Sequence, residues 1–269
     1  MQFGQAYGVS NARGQVTPDE AALILARAAE AGVPVLDTAA NYGESESVLA
    51  ALDTAPFRIV TKTCSAKDGV EVVVARAMLS ARMLKADTLL VHAATDLEVP
   101  GLWPALQALK ADGVFRRIGI STYVADDPAA LAARFAPDMV QLPFSLLDQR
   151  LLQDGSLARL QDMGVEVHAR SLFLQGLLLM DTPPAHLASA APHLAALHAR
   201  LAAAGTTKLA AALGFVLSRP QIAIGIVGVT TRDELDEILA AAAQPLPNLD
   251  WDACALSDER LLTPSLWNR

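Results

Sequence analysis

The chain of 269 residues has little of what marks a disulfide-rich, nucleic-acid-binding or membrane protein. Its two cysteines, Cys64 and Cys254, exclude a disulfide-dense secreted scaffold and fit a reducing compartment. Lys and Arg number 21 against 29 Asp and Glu, and the net charge of −8 excludes a general nucleic-acid binder. No run of eighteen apolar residues and no basic segment followed by an apolar stretch is present, so neither a membrane span nor a signal peptide is expected. A cytoplasmic globular protein is the expectation.

Short apolar runs alternate regularly with longer amphipathic ones along the whole sequence. The apolar runs predict seven strands, at residues 33–36, 57–61, 88–91, 117–120, 139–140, 165–169 and 222–227. Residues 1–4 are a candidate eighth strand. The strands are separated by helical patterns of ten or more residues, which indicates parallel pairing through crossovers.

Eight βα units in about 250 residues are typical of a (β/α)₈ barrel, and we predict one α/β domain of this class over residues 1–269. A doubly wound open sheet is the main alternative. The glycine fingerprint G-x-G-x-x-G, which should follow the first strand of such a sheet, is missing from the sequence.

Ionisable side chains follow three successive predicted strands, at Asp37, Lys62 and His92, and Tyr42 lies five residues beyond Asp37. The carboxyl ends of barrel strands meet at one mouth, so these side chains can converge. A lysine stabilises a nearby phenolate, an aspartate holds the lysine, and a histidine can bind a substrate oxygen or pass a proton. The group suits protonation of a developing alkoxide, which is half of a carbonyl reduction, and the hydride must then come from a cofactor. A structural ion pair of Asp37 and Lys62 is the alternative.

The segment Asp37-Thr38-Ala39-x-x-Tyr42-Gly43-x-Ser45-Glu46, followed by Lys62 and by His92, resembles the aldo-keto reductase superfamily. Three further stretches resemble parts of that family. Residues 113–121 resemble the start of its fifth strand, residues 171–178 the end of its seventh strand, and residues 226–231 its eighth strand. The likeness therefore covers nearly the whole chain. The resemblance implies an NAD(P)H-dependent oxidoreductase that reduces an aldehyde or ketone. It also implies that Tyr42 is the general acid/base, that Lys62 and Asp37 adjust the pKa of its phenol, and that His92 orients the carbonyl.

The resemblance also implies an extended nicotinamide cofactor across the barrel mouth, NADPH with NADH as the alternative. The residues implied to bind it are Ser121, Thr122, Gln141, Arg170, Ser171, Gln175, Gly228, Thr230, Thr231, Arg232 and Glu237. Thr122 stands where the family usually has Asn, and Arg170 where many members have an aromatic ring. The pattern Thr231-x-x-Glu234 predicts a helix start whose N–H groups could receive phosphate, with Arg232 as the candidate for a 2′-phosphate.

The family usually has a hairpin and a complete first strand before the Gln-Phe-Gly that Met1 precedes here. We therefore expect a barrel without the N-terminal hairpin that closes poorly at its first strand. The expected partner is a small-molecule carbonyl substrate, with no metal, nucleic acid or membrane. Two alternatives are a nicotinamide-binding sensor or auxiliary subunit with little turnover, and a lyase or isomerase that forms a Schiff base on Lys62.

Overall fold

The computed structural model describes residues 1–8 and 11–267, and the elements below lie within them. The strands are β1 (Val35–Asp37), β2 (Arg58–Lys62), β3 (Thr88–Val91), β4 (Arg117–Ser121), β5 (Met139–Pro143), β6 (Glu166–Arg170) and β7 (Ile224–Gly225). The helices are α1 (Pro18–Glu30), α2 (Ser45–Ala50), α3 (Val70–Leu84), α4 (Leu102–Ala111), α5 (Pro128–Phe135), α6 (Arg150–Gln153), α7 (Ser156–Asp162), α8 (Ala191–Ala203), α9 (Lys208–Leu217), α10 (Arg232–Ala242) and α11 (Glu259–Leu262).

Side-chain caps in the sequence set several helix starts. Thr17 Oγ1 accepts a hydrogen bond from Glu20 N ahead of α1, and Pro18 occupies the first turn. Thr207 accepts from Ala210 N in the same way at the start of α9. Such caps satisfy N–H groups that a helix leaves unpaired, so each crossover returns to the sheet at a defined point.

All seven strands are parallel and pair in sequence order, β1 to β7. In β1 and β2, for example, Leu36 lies opposite Ile59 and Asp37 opposite Val60. A strand lies at each of the seven predicted positions, but the bounds differ. The strand predicted at 222–227 is only Ile224–Gly225, the one predicted at 33–36 is Val35–Asp37, and β5 continues three residues beyond the predicted end at 140, to Pro143. The parallel order with helical crossovers is that of the predicted (β/α)₈-barrel class.

The sheet is curled, as contacts between side chains of distant strands on its inner face show. Gln141 on β5 hydrogen-bonds to Asp37 on β1 at 2.7 Å, and Arg58 on β2 pairs with Glu166 on β6, also at 2.7 Å. In the described part of the chain, β7 and β1 do not pair with each other. Between them lies a cavity of about 360 Å³, lined largely by apolar side chains.

The expectation of an eighth strand at residues 1–4 is wrong. These residues form a turn, in which Gly4 N donates to Met1 O at 2.9 Å and Val16 N donates to Gln2 O at 3.0 Å. Gly4 O also accepts from Glu44 N at 3.4 Å, and residues 1–4 pair with neither β1 nor β7 in the described structure. Met1 and Gln2 instead lie at the cavity between those strands.

The core has an inner part and two outer parts. Inside the curled sheet, Val60, Leu90 and Met139 pack together. Outside, one apolar cluster packs the first half of the sheet against α1, α3 and α4, and a second packs the later strands against α7, α8 and α9. Because successive side chains on a strand face opposite sides, the inward positions place polar residues above and below the inner apolar layer.

No single helix in the described residues is long and apolar enough to cross a membrane. Ala185–Ala203 and Lys208–Leu217 reach that length and composition only as a pair, which is bent by 86°.

Candidate active site

A cavity of about 540 Å³ lies at the carboxyl ends of the strands. Most of the residues predicted for the site line it: Asp37, Tyr42, His92, Ser121, Gln141, Arg170, Ser171, Gln175, Gly228, Thr230 and Glu237. Lys62 is buried, with 1% of its side chain exposed, and contacts Asp37 of this wall. In the described structure, Thr122, Thr231 and Arg232 do not line the cavity.

Lys62, at the end of β2, is held by two oxygen acceptors. Its Nζ donates hydrogen bonds to Asp37 Oδ1 at 2.6 Å and to the main-chain oxygen of Thr38 at 3.0 Å. The ion pair compensates a positive charge that would be strongly unfavourable alone in a buried position. The same Nζ lies 5.0 Å from the centroid of the Tyr42 ring. A fixed positive charge therefore stands beside the phenol.

Asp37 is fixed on both of its carboxylate oxygens. Lys62 binds one oxygen, and Gln141 Nε2 donates to the other, Oδ2, at 2.7 Å. Gln141 is itself 1% exposed. Its amide oxygen has no hydrogen-bond partner among the described residues and remains available to a ligand in the cavity. Gln141 therefore orients Asp37, a contact that the sequence analysis did not anticipate.

Tyr42 lies in the loop between β1 and α2 and meets His92 edge to face. The two ring centroids are 5.7 Å apart and the planes are at 83°. Gly43 follows with φ at +55°, and a Cβ there would lie 2.3 Å from the main-chain oxygen of Gly4. Only glycine fits this close approach, which fixes the course of the loop directly after Tyr42.

A buried polar network holds α2, and with it the Tyr42 loop, against β2 and α3. Glu46 is 3% exposed and accepts hydrogen bonds from Thr61 Oγ1 at 2.5 Å and from Ser80 Oγ at 3.0 Å. Arg76 forms a short ion pair with the same carboxylate. Glu46 belongs to the motif that the sequence analysis quoted, and the structure shows that it anchors the loop rather than lining the cavity.

His92 is neutral at neutral pH. Burial and the positive charge of Lys62 lower the pKa of His92 to about 4. Its main-chain N–H donates to Thr63 Oγ1 at 3.1 Å, which fixes the residue beyond the end of β3. Nδ1 is buried without a partner among the described residues. The ring can therefore offer a neutral N–H donor to the cavity.

Arg170, at the end of β6, also lines the cavity. Its guanidinium donates to Thr122 O at 2.8 Å and to Ser171 Oγ at 3.3 Å, and its Cζ lies 4.5 Å from the centroid of the Tyr123 ring. Two of its five N–H groups are used in this way. The Thr122 hydroxyl is buried and has no partner in the described chain. Donors therefore remain at this side of the mouth.

The start of α10, expected to receive phosphate, is occupied by carboxylates. Glu234 Oε2 accepts from Thr230 N at 2.6 Å, and Glu20 Oε1 accepts from Arg232 N at 2.7 Å. The predicted helix start is confirmed, since Thr231 Oγ1 caps it by accepting from Glu234 N at 3.1 Å. The N–H groups that a phosphate would need are, however, largely used.

Arg232, the candidate for a 2′-phosphate, is turned toward Asp236 rather than the cavity. Its Nε lies 3.7 Å from Asp236 Oδ2, and 54% of its side chain is exposed. Arg27 Nε lies 2.5 Å from the other oxygen of Asp236. The structure therefore does not bring Arg232 to the site.

Sequence reasoning missed several residues that line the cavity. Tyr123 supports Arg170, and its place directly after Ser121 and Thr122 at the end of β4 is a signal that could have found it. The segment before α1 contributes a further set, Tyr7, Gly8, Asn11, Ala12 and Arg13. That segment has no strand or helix pattern, so its position over the mouth leaves no trace in the sequence.

Among residues 1–8 and 11–267, no group of three or more His, Cys, Asp or Glu side chains is placed to hold a metal ion. Cys64 and Cys254 are free thiols, and burial raises the pKa of each above its ordinary value.

Comparison with known proteins gives one family and its fold. The model of the aldo/keto reductase family matches residues 1–259. No curated protein matches the chain.

Three solved structures are similar to it. The holo form of the aldo-keto reductase AKR11C1 from Bacillus halodurans is 18% identical with a TM-score of 0.74, covering 99% of this chain and 98% of that one. The apo form of the same protein is 21% identical with a TM-score of 0.70, covering 94% and 90%. PA4992 from Pseudomonas aeruginosa is 22% identical with a TM-score of 0.64, covering 90% and 86%.

Proposed function

Because the chain belongs to the aldo/keto reductase family, we propose that it reduces the carbonyl group of an aldehyde or ketone to an alcohol, at the expense of a reduced nicotinamide dinucleotide. The observation that carries the proposal is the convergence of Tyr42, the Lys62–Asp37 pair and a neutral His92 on one cavity. The proposed setting is the cytoplasm, and the proposed partner is a small carbonyl compound.

The residues at the mouth fit a nicotinamide dinucleotide. The Gln141 amide oxygen can accept from a carboxamide, and the unused N–H groups of Arg170 can donate to one. Ser121 completes this group of polar residues. When bound, the dinucleotide supplies a hydride to the carbonyl carbon.

The chain's own residues supply the proton and stabilise the charge. Tyr42 donates its phenolic proton to the carbonyl oxygen as the C–O double bond becomes a single bond. The phenolate that remains lies beside the Lys62 ammonium, whose charge Asp37 and Gln141 keep in place. His92 is neutral and offers an N–H hydrogen bond to the same oxygen, so it orients the carbonyl rather than protonating it.

A Schiff base on Lys62 finds no support in this geometry. That chemistry needs a neutral amine that a carbonyl carbon can reach. Lys62 is almost fully buried, and its Nζ donates to both Asp37 and Thr38. Borohydride with a carbonyl substrate should therefore leave Lys62 unmodified.

The first test of the proposal is the consumption of reduced nicotinamide with a panel of small aldehydes and ketones. Tyr42→Phe keeps the ring against His92 and removes only the proton donor. We expect kcat to fall by about 10²–10⁴-fold. The dissociation constant of the dinucleotide, measured by fluorescence without a carbonyl substrate, should stay within twofold, and the melting temperature should not change.

Unchanged turnover in Tyr42→Phe would disprove the assignment of the acid. Tight dinucleotide binding by the unmodified chain, with no turnover on any carbonyl compound, would favour a sensor or auxiliary subunit instead.

A further inference from the structure

The cavity has two ends of different charge. A dinucleotide whose reacting ring lies beside Tyr42 and His92 must extend along the rest of the cavity, which continues past Ser171 and Gly228. That direction ends at the start of α10, where Thr230, Glu234, Glu237 and Ile238 form the lining. Glu237 is exposed and forms no ion pair or hydrogen bond with the described residues. The far end is therefore acidic.

The two arginines near this end share one carboxylate, and acidic side chains outnumber them there. Arg232 and Arg27 both pair with Asp236, and Arg232 does not line the cavity in the described structure. The basic residues that do line it are Arg13, in the segment before α1, and Arg170, which Thr122 and Ser171 hold at the mouth.

Few main-chain N–H groups at the start of α10 are free to donate to a phosphate. Glu234 and Glu20 already accept from Thr230 N and Arg232 N, and their two carboxylates oppose the positive end of the helix dipole. A 2′-phosphate carries close to two negative charges at neutral pH, and the carboxylates of Glu20, Glu234 and Glu237 would repel it. A ribose 2′-hydroxyl is instead a hydrogen-bond donor, and carboxylates are the acceptors that recognise it in dinucleotide sites.

From this distribution of charge, we propose that the site binds NADH in preference to NADPH, with Glu234 and Glu237 as the residues that determine the choice. The proposal rests on the proposed function, since it assumes a nicotinamide dinucleotide in the cavity. It replaces the expectation of NADPH, which depended on Arg232 at the cavity.

The test is direct binding of each dinucleotide to the full chain, by titration calorimetry, without any carbonyl substrate. NADH should bind at least tenfold more tightly than NADPH. The double variant Glu234→Gln with Glu237→Gln keeps an acceptor for Thr230 N but removes both charges. NADPH should then bind several-fold more tightly, so that the ratio of the two dissociation constants narrows.

Asp233→Asn is the matched control. Asp233 lies in the same first turn of α10 but does not line the cavity in the described structure, so the ratio should stay within twofold. Melting temperatures of all variants check that α10 still forms.

NADPH binding as tightly as NADH would overturn the proposal, as would an NADPH affinity that disappears in Arg232→Gln or Arg13→Gln. Either result leaves the reductase assignment intact. Failure of both dinucleotides to bind would overturn the reductase assignment together with this inference, so the two failures are distinguishable.

Discussion

Single residues at the mouth act through charges fixed by a neighbour. Lys62 is held by its ion pair with Asp37, and Asp37 by a hydrogen bond from Gln141. His92 lies close enough to Lys62 and Arg170 for both cations to disfavour its protonation. The neutral imidazole is thus a consequence of burial and of where the cations stand, and under the proposed function it leaves the proton transfer to Tyr42.

His92 should titrate near pH 4 in the folded protein. Its ordinary pKa is 6.5, and the folded value lies below it, so the unfolded chain binds the proton first. This residue should therefore cost no stability above about pH 6.5 and increasingly destabilise the fold as the pH falls from there toward 4. NMR of the histidine ring protons measures the pKa, with His92→Gln used to assign the signal.

Arg170→Met serves as the companion variant, since loss of that cation should raise the pKa of His92. A titration midpoint near the ordinary value in the unmodified chain would contradict the neutral donor role.

Some of these residues could be predicted from sequence and some could not. Asp37, Lys62 and His92 follow strands whose carboxyl ends must share one edge, so their convergence needed only the strand pattern. The hydrogen bond from Gln141 to Asp37 joins residues 104 positions apart and depends on how far the sheet curls. Strand periodicity carries no information about that curvature.

At the scale of elements, the two-residue period of the strands builds polar layers at both ends of the inner face. At the end opposite the cavity, β2, β4 and β6 contribute Arg58, Arg117 and Glu166. Glu166 accepts from Arg58 Nη2 at 2.7 Å and from Arg117 Nη1 at 2.6 Å, and His168 Nε2 lies 2.7 Å from it. His168 and Arg58 lower the pKa of Glu166 to about 2.

Glu166→Gln should destabilise the fold by about 3 kcal/mol, because it leaves the partly buried Arg58 without a counter-ion and leaves Arg117 only Asp87, at 3.4 Å. The matched control is Glu98→Gln. Glu98 binds Arg134 at 2.6 Å, but both side chains are more than half exposed, so we expect a loss of at most about 1 kcal/mol. Urea unfolding at pH 7 measures both, and equal losses would contradict a structural role for this layer.

The pH dependence of the same layer has a definite sign. The folded pKa of Glu166 lies below its ordinary 4.5, so its contribution is fully present above about pH 4.5 and is lost as the pH falls toward 2. In Glu166→Gln this part of the acid dependence should be absent.

The elements also show the limit of local patterns. The cap of α10 by Thr231 was predictable, because Thr and Glu stand three positions apart. The carboxylate of Glu20, which comes from α1 and binds Arg232 N, was not, since it lies 212 positions away. That distant contact is what changes the expected phosphate site into an acidic one.

At the scale of the whole molecule, the opening between β7 and β1 sets the distribution of stability. Strands β2 to β6 pair on both sides, whereas β1 and β7 each pair on one side in the described structure. The order of the strands was predictable from sequence, because each crossover is local. Poor closure at the first strand was expected from the family resemblance alone. The strand pattern carries no information about it, since closure depends on whether the two outermost strands, far apart in the chain, come within hydrogen-bonding distance.

Amide hydrogen exchange should reveal this opening. Local opening of an edge strand breaks one ladder of hydrogen bonds, and opening of a central strand breaks two. Amides in β1 and β7 should therefore exchange at least tenfold faster than those of β3 to β5, whose exchange should follow the global free energy of unfolding from urea titration. Equal protection of all seven strands would contradict an open edge. A protection of β1 and β7 that rises with protein concentration would instead indicate that a second copy covers these edges, because pairing between chains depends on mass action and pairing within one chain does not.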